Sequence, residues 1–275
     1  MMKKIILFLY IIFLFSACEE DTTVIPYVEI LIVEGYLYEG EPVENIKLSK
    51  LIPITGDLGE DYSVNDATVE IIMNGESYSL ELSPGDSGYY HYPNNDLIIE
   101  EGEKFELLIE YNDEFVSAET IVPQPPDSMR LSLEEVKVEP IYERWDMRNR
   151  EVEDVLLEWH NPDASYYYVV IENTEVDPDN VDVNGIMEDF KGKIRFMMIT
   201  EPTQDDFYLF RGMMLEQYGT HKVTLYKVNK EYADLYETSG QDSRDLNEPL
   251  NNIHNGLGIF TSFNSDVLYF EVVKP

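Results

Sequence analysis

Short segments with alternating apolar and polar residues dominate the chain from residue 27 onward. The segment 67–73 alternates in this way, the dipeptide Asn74-Gly75 follows, and the segment 78–82 alternates again. Successive side chains of a β-strand point to opposite faces, so each segment has the pattern of a half-buried strand. Because both residues of a type I′ turn need positive φ, the two segments around Asn-Gly predict a β-hairpin.

Further strand-like segments complete a first domain. Asn112-Asp113 separates two of them, and Pro84-Gly85-Asp86 marks another turn. About seven short strands in roughly 100 residues are typical of an antiparallel β-sandwich, which we predict for residues 27–122. The remaining predicted strands of this domain are 28–37, 46–54, 105–111 and 116–120.

A proline-rich segment at residues 123–127 interrupts this pattern. Proline has no N–H to donate to a sheet and stiffens the chain, so we interpret the segment as a linker to a second domain, residues 128–275. A strand that ends at Trp159, a proline turn and the tyrosine-rich segment 166–171 resemble the opening of a fibronectin type III domain. The predicted fold is mainly β, with two tandem antiparallel immunoglobulin- or fibronectin III-like sandwiches. Other predicted strands of the second domain are 129–138, 223–228 and 267–273.

One short helix is predicted in the second domain, at residues 230–239. Asn229 can cap its start and Gly240 can end it. The apolar side chains of one helical face are Tyr232, Leu235 and Tyr236.

The N-terminus has the pattern of an export signal. Two lysines precede the apolar segment 5–15, which is shorter than the roughly 20 residues of a membrane span but suits a signal-peptide core. The small residues that follow, with Cys18, resemble the lipobox of bacterial lipoproteins. We therefore predict a signal peptide at residues 1–17, lipid attachment at Cys18 and a lipidated tether at residues 18–26. The alternative is a free cysteine after an ordinary secretory signal.

Cys18 is the only cysteine of the chain. An intrachain disulfide, a cysteine metal cluster and a thiol nucleophile elsewhere in the chain are therefore excluded. Glu19, Glu20 and Asp21 follow it directly. This acidic run resembles the signal that sends lipoproteins of Bacteroidetes to the outside of the outer membrane. We expect a lipid-anchored outer-membrane protein that faces the cell exterior; the alternative is an ordinary polar tether.

The formal net charge of −36 restricts the partners. Such a field repels phosphate backbones, so we expect no nucleic-acid partner. Anionic head groups are repelled as well, and the lipid is the expected source of membrane attachment. Hydrophobic residues make up 44% of the chain and tyrosines number 20, so the charge does not indicate disorder.

The acidic segment 177–189 resembles a calcium loop only in part. With Gly185 at the sixth position of an EF-hand loop, Lys191 stands where the bidentate carboxylate is needed. The residues in the first three ligand positions would be Asn180, Asp182 and Asn184. We interpret the segment as a solvated loop and predict no metal site.

No catalytic motif is found in the sequence. The four histidines have no metal-ligand spacing, and no nucleophile elbow, phosphate loop or dinucleotide fingerprint occurs. These histidines are His91, His160, His221 and His254. Segment 255–260 (NGLGIF) has two glycines that fit a close backbone approach or a special turn before the last strand; phosphate binding is the alternative, and we favour the structural turn. We expect neither enzymatic activity nor a cofactor.

Three strings carry a family resemblance. They are segment 32–36 (IVEGY) with the following strand, segment 230–236 (KEYADLY), and segment 252–260 (NIHNGLGIF). They are similar to a family of Bacteroidetes lipoproteins known as domain of unknown function 4249. The resemblance implies a cell-envelope lipoprotein that accompanies a TonB-dependent outer-membrane receptor.

We therefore expect a non-catalytic accessory or binding subunit of a TonB-dependent nutrient-uptake receptor. The alternative is a structural or adhesive lipoprotein of the cell envelope. The sequence does not identify the ligand, which could be a small molecule or a peptide.

Overall fold

The computed structural model describes residues 30–51, 62–85, 87–185, 195–239 and 251–275. Over these ranges the chain is mainly β, as predicted. The strands of the first half, residues 30–122, pair antiparallel with one another. The predicted turns at Asn74-Gly75 and Asn112-Asp113 are confirmed, with Asn74 at φ 53° and Asn112 at φ 52°, whereas Asp86 of the third predicted turn lies outside the described residues. The strands are β1 (Leu31–Tyr38), β2 (Ile46–Lys50), β3 (Thr68–Met73), β4 (Glu76–Leu82), β5 (Tyr89–His91), β6 (Lys104–Tyr111) and β7 (Glu114–Ile121).

The second half contributes eight strands over the described ranges. The predicted strand 129–138 is two strands that lie in different sheets. Trp159 lies one residue before the end of its strand, which stops at His160, and it packs on Tyr167 with 5.6 Å between the ring centroids. The strands are β8 (Asp127–Leu131), β9 (Glu135–Lys137), β10 (Val155–His160), β11 (Tyr166–Asn173), β12 (Met197–Ile199), β13 (Phe207–Phe210), β14 (Gly219–Val228) and β15 (Leu257–Val273).

Two α-helices occur in the described residues, where one was predicted. The helix at Lys230–Ser239 (α2) has the predicted bounds. The additional helix, α1, spans Arg144–Asn149. Six residues are too few to show a helical period, so the sequence pattern could not reveal α1. A 3-10 helix covers Gly212–Met214. Neither α-helix is long and apolar enough to cross a membrane.

The strands form one large sheet and one small sheet. The order in the large sheet is β12-β11-β14-β15-β1-β2-β5-β4-β3-β6-β7, with β9 beside β15. The small sheet has the order β13-β10-β8. In the first half, β4 pairs with β5 at one end and β3 at the other, which folds the large sheet over a core. In the second half, the small sheet packs on β11, β14 and β15.

The last strand is much longer than the predicted segment 267–273. β15 pairs in parallel with β1, where Val33 lies opposite Gly258, and antiparallel with β14 over Gly219–Val228. Its first part was missed because Gly258 and the run Thr261-Ser262 break the apolar alternation expected of a strand. A strand of this length extends over roughly 50 Å.

Two cores lie on the same face of β15. Phe260 belongs to the first core with Val33 and Leu107, whereas Phe270 belongs to the second with Leu157 and Leu225. Ile253 and Phe260 fall within the predicted second domain, yet they pack in the first core. The linker is attached to the same strand, because Asn264 Nδ2 donates to the Pro123 carbonyl at 2.9 Å. β15 therefore joins both halves.

Candidate functional site: a cleft at the distal tip

The predicted anchor lies outside the described residues. Cys18, Glu19, Glu20 and Asp21 precede Ile30, where the description begins. Lipid attachment and outward export therefore stay predictions. The end of the molecule at which β1 starts is called the proximal end below, and the end at which β15 finishes is called the distal tip.

Two of the three family-like strings, segments 32–36 and 252–260, are neighbours in the sheet. Gly258 has φ 116°, and a Cβ on it would lie 2.0 Å from the Val33 carbonyl oxygen. A Cβ on Gly35 would lie 2.8 Å from the ring of Phe260. Asn252 donates to the Phe260 carbonyl at 2.6 Å and accepts from the Phe260 N–H at 3.0 Å. The close backbone approach is found at Gly258, within β15, and the turn before the strand is at Asn255, which has φ 61°. These strings have a structural role.

The remaining string, segment 230–236 in α2, covers a cluster of aromatic rings at the middle of β15. Tyr168 stacks on Tyr226 at 4.8 Å, and Tyr38 stacks on Phe263 at 4.9 Å. Tyr232 of α2 meets the edge of Phe263 at 5.0 Å. We call Tyr36, Tyr38, Tyr168, Tyr226, Tyr232 and Phe263 the tyrosine cluster. It connects β1 of the first half to β11 and β14 of the second.

The phenols of this cluster are held in the protonated form. Burial, with smaller contributions from neighbouring phenols and Glu41, raises the pKa of Tyr38 to about 12. Burial also raises the pKa of Tyr168, with Tyr232, Tyr38 and Tyr226 adding to the effect. A phenol that resists ionisation is a poor base near neutral pH. The cluster therefore acts in packing.

The side chain of Asn229 does not point into α2 as a simple cap would. Its Nδ2 donates to Thr120 Oγ1 and to the Ile121 carbonyl, each at 3.0 Å. Asn229 thus connects the start of α2 to β7 of the first half.

The segment that resembles a calcium loop is held against neighbouring backbone. Asp182 forms a bridge with Ile141, and Asn184 Nδ2 donates to the Tyr142 carbonyl at 2.9 Å. Gln217 Nε2 donates to Asn180 Oδ1 at 3.5 Å. Across the described ranges no three metal-ligating side chains come together, and Lys191 lies outside those ranges. The described part of this loop, up to Gly185, belongs to the distal tip.

The four histidines lie in separate settings. His91 Nδ1 contacts Ser83 Oγ at 3.1 Å, and the backbone of His254 pairs with that of Ser117. His221 is fully buried, stacks on Phe270 at 5.2 Å and hydrogen-bonds the Gly219 carbonyl through Nδ1. Burial lowers the pKa of His221, against smaller opposing effects of this hydrogen bond, Glu271 and Glu175. His160 is exposed at the end of β10.

The distal tip consists of residues 138–151, 174–185 and 211–218. These segments follow β9, β11 and β13, all of which lead to the end of the sheet where Val272 lies opposite Gly219. Tyr218 OH donates to the Val138 carbonyl at 2.9 Å, which joins two of the segments. Asp146 accepts from the N–H groups of Tyr142 and Glu143 at 2.9 Å and so fixes the start of α1.

Large apolar side chains are exposed on this tip. Trp145 is 69% exposed and Met213 is 57% exposed. Aromatic residues, methionine and arginine are enriched at protein interfaces, whereas most acidic residues are depleted there. The other exposed apolar side chains of the tip are Tyr142, Val176, Val183 and Met214. The tip therefore exposes aromatic and methionine side chains of the kind found at interfaces, among acidic side chains that interfaces usually lack.

A cleft of about 510 Å³ opens beside α1. It has the size of small-molecule sites, which range from roughly 300 to 1,000 Å³. The lining residues are Glu139, Pro140, Ile141, Tyr142, Asp146, Arg150 and Glu151. We call it the distal cleft.

Among the lining residues that the structure describes, Arg150 is the one cation. Its Nη2 donates to the Met213 carbonyl, which ties α1 to the 3-10 helix. Burial lowers the pKa of the Arg150 guanidinium, against a smaller opposing effect of Tyr218 and Glu216. An arginine stays charged under such a shift. The cleft thus holds a half-buried positive charge in a strongly acidic protein.

A family model for "Domain of unknown function (DUF4249)" matches residues 19–267. The chain belongs to this family. The DUF4249 match spans the first core, the tyrosine cluster, the distal cleft and all of the second core except Phe270, Val272 and the adjoining Leu268. No curated protein matches the chain.

Solved structures with immunoglobulin- or fibronectin-like domains resemble this DUF4249 chain weakly. Chicken CNTN1 FN1-FN3 domains match at 10% identity and a TM-score of 0.29, over 74% of this chain and 60% of that chain. Domains A168-A170 from titin match at 10% identity and a TM-score of 0.20, over 90% of this chain and 68% of that chain. This chain thus spans less than two thirds of the CNTN1 fragment.

Sequence reasoning missed the distal cleft. Arg150 follows α1, and its burial depends on packing against Met213, far along the chain. The only local signal was an arginine-rich segment with Trp145 between two predicted strands.

Proposed function

We propose that this DUF4249 protein is an outer-membrane lipoprotein that faces the cell exterior and serves as a non-catalytic binding subunit of a TonB-dependent nutrient-uptake receptor. Cys18 would carry the lipid, and Glu19, Glu20 and Asp21 would direct export. The family resemblance supports the receptor as partner.

The position of the distal tip carries this proposal. β1 begins shortly after the proposed lipid site, and β15 runs from that end to the tip. A tethered protein built in this way would present Trp145 and Met213 away from its anchor. Exposed aromatic and methionine side chains are typical of the residues that dominate binding energy at protein interfaces.

Copurification of the receptor tests the proposal. A tagged full-length chain is captured from detergent-solubilised outer membranes, and a TonB-dependent receptor is expected among the bound proteins. Trp145→Ala should reduce receptor recovery at least about tenfold, since an interface hot spot contributes about 2 kcal/mol or more. Phe115→Ala, which removes a 54% exposed ring from the first half, is the matched control and should bind normally.

The anchor is checked in the same preparations. A Cys18→Ser chain should move from the membrane fraction to the soluble fraction, because the lipid is the proposed membrane attachment. The function is wrong if no such receptor is recovered with the wild-type chain. A tip with no role would give equal recovery for Trp145→Ala and Phe115→Ala.

A further inference from the structure

Arg150 has more hydrogen-bond donors than the chain uses. A guanidinium carries five N–H donors in a planar fork that matches a carboxylate. Of these, the described structure supplies an acceptor for Nη2, the Met213 carbonyl. No carboxylate of the described ranges forms an ion pair with Arg150, although the chain has 55 acidic residues. A half-buried arginine without a carboxylate partner favours an external one.

The remaining lining of the cleft restricts that external group. Ile141 is buried and Tyr142 is exposed, which gives an apolar wall beside the cation. The carboxylates of Glu139 and Glu151 are exposed at the same cleft. Asp146 is already an acceptor for two backbone N–H groups. The cleft therefore offers one cation, an apolar wall and two unburied anions.

We propose that the distal cleft binds short zwitterionic peptides, with a peptide carboxylate on Arg150 and the amino group near Glu139 and Glu151. This names the ligand class of the binding subunit proposed above and rests on that proposed function. The carboxylate is held by charge-assisted hydrogen bonds of the bidentate kind that arginine forms.

The charge of the protein favours a zwitterionic ligand over a simple anion. The chain's net charge of −36 and the two lining glutamates repel a phosphate dianion. A zwitterion carries no net charge and places its positive end where the glutamates lie. Ile141 and Tyr142 give apolar contact that phosphate cannot use.

Ligand-observed NMR on the full-length chain in detergent tests this site. The probe is the low-molecular-mass fraction of a pancreatic casein digest, used as prepared and after methyl esterification of its carboxylates. Saturation transfer should appear on the untreated peptides. Esterification should weaken binding at least about tenfold, because the charge-assisted hydrogen bonds to Arg150 are lost.

Variants assign the effect to Arg150. Arg150→Gln should weaken peptide binding at least about tenfold, and Arg150→Lys should fall between, since it keeps the charge without the planar fork. Arg130→Gln is the matched control, because Arg130 pairs with Glu158 on the exposed face of the small sheet. It should bind as the wild type does. The esterified digest tests the wild-type chain, so the result stands even if an Arg150 variant folds poorly.

Three outcomes overturn the ligand class. These are no transfer to untreated peptides, equal transfer to esterified peptides, or inorganic phosphate that displaces every peptide signal at equal concentration. Receptor recovery through Trp145 is measured separately. If the receptor is recovered normally but no peptide binds, only the proposed ligand is wrong. If peptides bind but no receptor is recovered, only the proposed receptor partnership is wrong.

Discussion

At the scale of single residues, glycine decides how closely the two ends of the chain can pair. Gly258 combines a positive φ with backbone contact, because β1 runs beside it at the distance of a parallel strand. A side chain at position 258 would therefore be strained by the positive φ and would clash with the Val33 backbone. A Cβ on Gly35 would meet side chains rather than backbone, namely the ring of Phe260 at 2.8 Å and Ile46 Cδ1 at 3.3 Å.

Gly258→Ala should therefore destabilise the protein by at least about 2 kcal/mol, from backbone strain and from the contact with the Val33 carbonyl. Urea unfolding followed by circular dichroism measures the change. Gly102→Ala is the matched control, since Gly102 has φ 77° and nothing near its missing Cβ. The free energy of unfolding of Gly102→Ala should fall by about 1 kcal/mol, from backbone strain alone. Equal losses for the two variants would show that close approach of β1 and β15 does not matter.

At the scale of elements, the tyrosine cluster holds strands of both halves beneath α2. Its rings are supplied by β1, β11, β14, β15 and the helix, so no single hairpin contains it. Packing at such a junction couples the elements, and it also makes their stability depend on ionisation of the buried phenols.

Stability should fall as the pH rises above 10. The pKa of Tyr38 is raised to about 12 and that of Tyr168 is raised too, so the unfolded chain releases phenolic protons that the folded chain keeps. This stabilisation is complete below pH 10. The part from Tyr38 is lost between pH 10 and about 12, and the part from Tyr168 is lost as the pH rises through its own raised pKa.

In Tyr168→Phe the free energy of unfolding should fall less steeply above pH 10 than in the wild type, by up to about 1.4 kcal/mol per pH unit. Urea midpoints at pH 9, 10 and 11 measure it. Tyr269→Phe is the control, because that ring is 55% exposed. A pH dependence that is unchanged in Tyr168→Phe would contradict the expected coupling.

Elements with local signals were the ones the sequence could predict. Asn74-Gly75 marks its hairpin because the turn chemistry is complete within two residues. The helix at Lys230–Ser239 carries its own period, and its predicted bounds are confirmed, although the Asn229 side chain bonds to β7 and Gly240 lies outside the described residues. β15 was predicted only in its last part, because its pairing with β1 depends on residues at the opposite end of the chain.

The candidate site was out of reach for the same reason. Arg150 becomes a half-buried cation only when α1 packs near Met213, and the sequence around it shows an ordinary charged segment. Cys18 is the reverse case. Its proposed chemistry depends on a local motif, so the sequence predicts it although the residue lies outside the described ranges.

At the scale of the whole molecule, one strand belongs to both cores. Phe260 and Phe270 are buried at 0% and 1% exposure in different cores, yet they lie on the same face of β15. Loss of order in one half therefore removes the neighbour that the other half needs.

Phe260→Ala should destabilise both halves together, by about 3–5 kcal/mol. Trp159 lies in the second core, so its fluorescence in a Trp145→Phe background reports on the half that was not mutated. Its urea midpoint should shift by the same amount as the midpoint from circular dichroism. Ile98→Ala removes an exposed side chain and should leave both midpoints unchanged. A Trp159 midpoint that stays at the wild-type value would mean that the halves unfold independently.

The pairing of β1 with β15 also sets an order in time. A chain is synthesised from its N-terminus, so β1 emerges long before the strand beside which it will lie. Contacts between such distant segments form slowly, because a long loop must close first. Until then β1 has β2 as its neighbour and an open edge on the other side. The core of the half that is made first therefore stays incomplete until Ile253 and Phe260, near the end of the chain, have been made.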